Sequence, residues 1–337
     1  MITRRMNSAM ATLAAAAMLL SAASVSAQQV RWRASGSLTA GHSTSVAMQT
    51  FKKEVARLSN NTIQVDLFPG NTLGGAFEQV DQLRTGQIQL AWAGLPFYDK
   101  LSPDLGAAVL PFGAATASEA ACQIDGELGT YLAEKTAEKG VAVLGWMAMG
   151  ARHITNNRRP IRTVEDMKGL KIRTPSGEAW DLTFRALGAN PTPIDIKELY
   201  QALQQNVVDG QENPYDNMLV RKFQEVQKHL SNSGHFVDWA GVFVNKAALD
   251  KLTPDQQQAV KTAMATAIKE QRAISEREIS TARDGLIKGG MQYTELSPAE
   301  LSKFRETTRP VYAQMRAKLG DKVMDLAEAA IKRCQGK

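Results

Sequence analysis

The chain has 337 residues, with 40 lysines and arginines against 34 aspartates and glutamates, a net charge of +6 at neutral pH, and only two cysteines. The length allows two lobes with cores of their own. Its basic residues are interleaved with acids rather than clustered, which disfavours nucleic acid as a partner. Four histidines without metal-ligand spacing and two distant cysteines give no metal-site signal.

Residues 1–27 open with the basic MITRRMN, continue through the apolar SAMATLAAAAMLLSAAS and end at Val25-Ser26-Ala27, small at the positions a signal peptidase reads. A signal peptide is expected there; its removal takes Arg4 and Arg5 and lowers the net charge by two. Later apolar stretches fall short of the about 20 residues of a membrane span; VAVLGWMAMGA at 141–151 is short and broken by glycine. An exported, soluble protein is expected. In an oxidising compartment Cys122 and Cys334 could pair, but spacing alone leaves that open.

From Gln28 onward, segments of period two alternate with segments of period 3.6, which signals an α/β fold with crossovers. In chain order, VRWRAS (30–35) reads as a strand, 45–59 as a helix, TIQVDLF (62–68) as a strand, 75–86 as a helix and IQLAWAG (88–94) as a strand. One helix over 117–140 and the strand VAVLGWMAM (141–149) follow, then the strand LKIRTP (170–175) and a helix over 176–188. A further helix is expected over 195–210, with Leu199, Leu203 and Val207 on one face and Gly210 as its stop. After the strand GVFVN (241–245), residues 252–290 form one long charged helical pattern opened by Thr253-Pro254-Asp255. Such a helix is too long for one small lobe and would brace two. With no Gly/Ser/Pro linker, the chain is expected to cross between lobes several times through short strands, making a hinge.

No GxGxxG or GxxxxGK[ST] occurs. Gly41-His42-Ser43-Thr44-Ser45 resembles a nucleophile elbow but lacks the second glycine. A helix start capped by Ser43 or Thr44 is the plainer reading. The stretch GLKIRTPSG sets Arg173 at the end of a strand and before Pro175, which holds the backbone extended and aims the guanidinium at a crevice. On pattern alone three readings stand: a planar fork for a carboxylate, a structural arginine paired with Glu178 or Asp166, or an arginine that simply lies on the surface.

The runs DMKGLKIRTPSG, GANPTPIDIKELYQALQQNVVDGQENPYDN, FPGNTLGG and LRTGQIQLAWAG resemble the DctP-type solute-binding proteins of tripartite ATP-independent periplasmic (TRAP) transporters. From Asp166 to Pro214 the family's order of RxP, ANPTP, ELYQALQ and DGQENP is kept without a gap. The resemblance implies that Arg173 makes the main salt bridge to a ligand carboxylate. It also implies that Arg152, in a GxRxxxxN pattern, is a second arginine at the site, and that the amide of Asn213 donates to the same carboxylate or to a neighbouring hydroxyl or oxo group. Contacts are further implied in RASGS, around FPGNTLGG with Glu78 beyond it, and in the loop after IQLAWAG. Gly94 stands where sialic-acid binders of the family carry an acid, and Ile196 where an aromatic stacks on the ligand; both argue against sialic acid. Trp239, Tyr215, Phe97 and Trp180 are each open to a place in the cleft or in the core. Trp239 and Phe97 facing the ligand would suit a compact 2-oxo, 2-hydroxy or aromatic monocarboxylate.

The resemblance thus implies an α/β, two-lobed periplasmic binding protein fold of type II-like form, with lobes of 28–150 plus 238–277 and of 151–237 plus 278–337. The expected function is a monomeric periplasmic receptor, not an enzyme and without cofactor or metal, that captures an organic acid and delivers it to TRAP permease subunits in the membrane. A sensing module for a membrane receptor, which would share this fold, and a carboxylate-processing enzyme are the alternatives.

Overall fold

The computed structural model describes residues 29–336, so the expected signal peptide lies outside the described residues. Among the described residues, nine strands form one mixed sheet: β1 (Val30–Gly36), β2 (Ile63–Phe68), β3 (Leu90–Gly94), β4 (Val141–Asn156), β5 (Lys171–Thr174), β6 (Asn190–Pro193), β7 (Gly210–Asn213), β8 (His229–Asn245) and β9 (Gln292–Glu295). Their spatial order is β2-β1-β3-β8-β4-β7-β5-β6, with β9 pairing with β8. β3, buried at every position, has the apolar run of a strand covered on both faces.

The strands β4 and β8 reach 16 and 17 residues and pair antiparallel along their length, running through both lobes. Only part of each was visible as a strand pattern. In ARHITN and HLSNSGHFVD, buried polar residues interrupt the apolar alternation, and the buried side chains of Arg152, Thr155, Ser233, His235 and Asp238 bond to one another or to neighbouring strands. The register slips between Val143 and Gly145, Ala148 and Gly150, and Arg152 and Ile154.

Among the helices, α1 (Ser43–Leu58) is capped neither by Ser43 nor by Thr44 but by His42, whose Nδ1 accepts the N–H of Thr44 at 3.2 Å. α2 (Ala76–Thr85) stops at Gly86, which turns left-handed at φ 78°. The helix expected over 117–140 is two, α3 (Ala117–Ile124) and α4 (Glu127–Ala137), separated at Asp125-Gly126. α5 (Glu178–Ala186) follows β5. The helix expected over 195–210 shrinks to α6 (Leu199–Gln204), because Asn206 turns left-handed at φ 55° and the chain enters β7 at Gly210. Val207 is therefore 53% exposed. Gly210 acts as a strand residue, since a Cβ there would collide with the carbonyl oxygen of Thr155 on β4.

After α7 (Tyr215–Val220) and the short α8 (Lys246–Asp250), α9 (Pro254–Lys288) is the expected long helix, opened by a Thr253–Gln256 capping box. It spans roughly 50 Å at 1.5 Å per residue, packing on α1, on β4 and on α7, and so braces both lobes. One core lies between α1, α9 and the sheet, with Trp32, Met48, Phe51 and Met264; a second runs on through Trp146, Phe184 and Phe236. α10 (Pro298–Thr308), α11 (Pro310–Leu319) and α12 (Asp321–Cys334) close the chain. α11 packs on α5, whereas α12 packs on α3 and α4. That packing brings Cys334 to Cys122, and the two form a disulfide with Cα atoms 5.7 Å apart. Among the described residues, no helix is long and apolar enough to cross a membrane.

Candidate functional site

A narrow cleft opens outside the carboxyl ends of β1, β3, β5 and β7, where open α/β sheets bind ligands. One wall is Ser37, Leu38, Gly94, Phe97 and Asp238; the other is Arg152, Arg173, Ile196, Asn213 and Asn217. The walls touch across the cleft: Arg221 Nη2 donates to Ser37 O and Ser176 Oγ donates to Pro96 O, each at 2.8 Å. His42 Nε2 lies 3.3 Å from Asp216 Oδ2.

Arg173 is held by the parallel pairing of β5 with β6 and β7 and by Pro175 after it. It is 1% exposed. Its Nε donates to Ile194 O at 2.8 Å, and its buried Nη2 has no hydrogen-bond partner among the described residues. Burial lowers its pKa to about 9; Glu212 and Asp195 counter this while Arg152 and Arg221 add to it.

Arg152, 3% exposed, is in the opposite condition. Nε and Nη2 donate to the carboxylate of Glu212 at 2.5 and 2.7 Å, and Nη1 to Asp238 Oδ2 at 2.7 Å. Nη2 also donates to Glu212 O at 2.8 Å and to Asn213 Oδ1 at 3.2 Å. Burial alone would raise Glu212, but Arg152 and His235 outweigh it and bring the carboxyl to about 2. At Asp238 burial wins over Arg152 and lifts the carboxyl to about 6. The charge of Arg152 is thus already shared between two carboxylates.

Asn213 Nδ2 donates to Gln211 Oε1 at 2.6 Å, and its Oδ1 also accepts from Asn217 Nδ2 at 2.8 Å. Asn217 in turn accepts from Arg221 Nε at 2.8 Å. Phe97 lines the cleft and meets Phe77 edge-on, centroids 5.2 Å apart. Arg173, Arg152, Asn213 and Phe97 are therefore together.

Glu78, Tyr215 and Trp239 are not among the residues lining this cleft. Glu78 Oε2 accepts the N–H of Gly75 at the start of α2, and its side chain borders an outer groove with Phe77 and Asp195. Tyr215 stacks on His153 at 4.0 Å and donates to Asn232 Oδ1 at 2.9 Å. Trp239 is buried with the Arg272 guanidinium 5.2 Å from its ring centroid. Trp180, buried, packs on Phe236 with the Arg152 guanidinium 5.7 Å from its ring. With Trp239 turned away, the case for a compact or aromatic acid loses half its basis, and the cleft carries Ser37, Asn213, Asn217 and Asp238 instead. Asn217 stands in the same NPYDN run as Asn213. Asp238 adjoins Trp239, and strand alternation turns one toward the cleft and the other away. Reading β8 to its full length would have found it.

Among the described residues, no group of three or more His, Cys, Asp or Glu is placed to hold a metal ion. The family model of bacterial extracellular solute-binding proteins, family 7, matches residues 34–319. The 2,3-diketo-L-gulonate-binding periplasmic protein of Escherichia coli is 32% identical over 272 residues, 81% of this chain and 82% of that protein. The C4-dicarboxylate-binding periplasmic protein of Rhodobacter capsulatus is 29% identical over 83% of this chain and 84% of that protein. A sugar acid binding protein from Advenella mimigardefordensis, solved in complex with galactonate, has a TM-score of 0.88 at 28% identity, covering 91% of this chain and 99% of that one.

Proposed function

The chain belongs to family 7 of the bacterial extracellular solute-binding proteins, and from that premise we propose that it traps an organic acid between its lobes, clamped by Arg173, for delivery to TRAP membrane subunits. The observation that carries this reading is the buried Nη2 of Arg173, which has no partner among the described residues. A carboxylate matches a guanidinium with two parallel hydrogen bonds, each contributing roughly 1.5–3 kcal/mol. Arg152 is neutralised by Glu212 and Asp238, so its part is to hold the wall and to offer Nη1, which makes one bond here. Asn213 and Asn217 supply amides for a neighbouring hydroxyl or oxo group. The relatives' ligands, a diketo sugar acid, C4-dicarboxylates and galactonate, share the carboxylate this site suits.

The protein works in the periplasm as a monomer after loss of residues 1–27. The lobes meet near Ala151 and Val237, paired next to the register slip between Ala148 and Gly150. The empty cleft opens and stays wet, and the ligand closes it by supplying the counter-charge of Arg173. Thermal shift of residues 28–337 against organic acids, neutral sugars and amino acids tests the reading. Acids raise the melting temperature by linkage, and Arg173→Ala abolishes the shift. A neutral ligand that binds tightly and is indifferent to that substitution overturns it.

A further inference from the structure

The cleft is electrically two-ended. Arg173 lines one end, lowered by burial to about 9 and drawn upward by Glu212 and Asp195; Arg221, lowered by burial to about 10, bonds to the lining residues Asn217 and Ser37. Asp238 stands on β8, three strands away from Arg173 on β5 in the order β8-β4-β7-β5. Asp99, beyond the turn that follows β3, is pushed up to about 8 by burial first and then by the charges of Glu178 and Asp238. Arg152 is the only cation bonded to Asp238 among the described residues, and it also serves Glu212, so this trio of side chains carries one negative charge in excess.

Asp238 has acceptor capacity left. Its Oδ2 takes one bond from Arg152 Nη1 and its Oδ1 one from the Trp239 N–H, both at 2.7 Å, whereas a carboxylate offers about four acceptor positions. Gly94 keeps the space before it free: a Cβ there would stand 3.7 Å from Asp238 Oδ2. A ligand whose carboxylate lies at Arg173 therefore presents its far end to a buried, acceptor-rich anion. A hydroxyl donates there; a second carboxylate meets like charge in a place with little water to screen it.

We infer that Asp238 determines specificity, accepting hydrogen bonds from hydroxyls at the end of the ligand remote from its carboxylate and rejecting dicarboxylates. This rests on the carboxylate reading of Arg173 and selects within it, placing the protein with binders of hydroxylated monoacids and apart from those of dicarboxylates. A site built around a hydroxyl discriminates strongly because the unmatched ligand leaves its buried polar group unpaired.

Two ligand pairs that differ only in a terminal carbinol against a carboxylate isolate this end whatever the chain length: erythronate with meso-tartrate, and galactonate with galactarate. Titration calorimetry of residues 28–337 is expected to show at least one monoacid bound about 100-fold or more tighter than its diacid. Asp238→Asn, which keeps shape and one acceptor, is expected to narrow that ratio to about tenfold or less by removing the like charge. Equal or tighter binding of the diacids by the wild type overturns the inference and leaves the Arg173 reading standing. Selectivity that persists unchanged in a folded Asp238→Asn protein overturns the assignment to Asp238. If the variant fails to fold, the wild-type ratio still decides, since a ratio near one refutes the inference. Binding of none of the monoacids overturns it together with the carboxylate reading beneath it.

Discussion

Replacing Arg173 by methionine removes the positive charge from the cleft and keeps much of the side chain's length. In the closed structure the guanidinium is buried, makes one bond to Ile194 O and has its pKa lowered from 12.5 to about 9. At about 1.4 kcal/mol per unit, holding this cation in a closed and empty cleft costs on the order of 5 kcal/mol. The cost is fully present below about pH 9 and is relieved only as pH rises toward 12.5, so it acts in full at neutral pH. Two charge-assisted hydrogen bonds to a carboxylate return about 3–6 kcal/mol. The two quantities are comparable, which is the condition for a cleft that closes when its ligand arrives and opens when it leaves.

Arg173→Met should therefore do two opposite things. Affinity for whichever organic acids raise the melting temperature of the wild type falls about 10²- to 10⁴-fold, following those 3–6 kcal/mol, while the empty variant becomes easier to close. Calorimetry measures the first effect, and small-angle scattering of the empty and acid-saturated proteins measures the second. The wild type is expected to contract on binding, and the variant to be compact already. A variant that binds within about threefold of the wild type, and whose empty form stays as extended, refutes both the clamp and the account of closure.

The buried titratable groups give a pH test by difference. The His153 pKa falls from 6.5 to about 3 through burial first, then the nearby His235 and Arg152, so the wild type loses stability from this group as pH falls from 6.5 toward 3. His153→Gln should gain relative to the wild type over that range by about 1.4 kcal/mol per pH unit. Asp238 is raised from 3.8 to about 6, so its contribution grows as pH falls from 6 to 3.8, and Asp238→Asn should lose ground over that window. Urea midpoints measured from pH 7 to 4 check both, and profiles parallel to the wild type would contradict the burial of these groups. Reducing Cys122–Cys334, which closes a loop of 212 residues, should lower unfolding stability by about 2–5 kcal/mol; an unchanged midpoint in dithiothreitol would count against the pairing. Tyr215→Phe removes the bond to Asn232 and should cost about 1 kcal/mol of stability with ligand affinity unchanged. A large loss of affinity would return Tyr215 to the site.

How far the fold could be read in advance varied with the kind of residue that carried it. α9 was legible almost end to end, because a solvated helix keeps its period and its capping box whatever it packs on. β3 was legible because a strand covered on both faces is apolar throughout. β4 and β8 were legible in part, since a strand that runs through a cleft carries the polar residues of the cleft and stops looking like a strand. α6 and β7 were misjudged for a related reason: Val207 fits a helical face in sequence, but Gly210 is needed where β7 crosses close to the Thr155 carbonyl.

The same distinction holds at the site. Alternating periods and the ordered motifs from Asp166 to Pro214 were sufficient, by themselves, for the α/β class, the solute-binding family and an arginine aimed from the end of β5, because these are local properties of the chain. The motifs ranked Arg173 before Arg152 but did not say which of the two guanidiniums is already paired. Only the folded sheet does so. Its register sets Arg152 opposite Phe236 and His153 opposite Asn213, next to Glu212 and Asp238, carboxylates 60 and 86 positions further along. Arg173 meets a backbone carbonyl instead. Whether a buried charge is already paired depends on which distant strand lies beside it, and that is decided by tertiary packing.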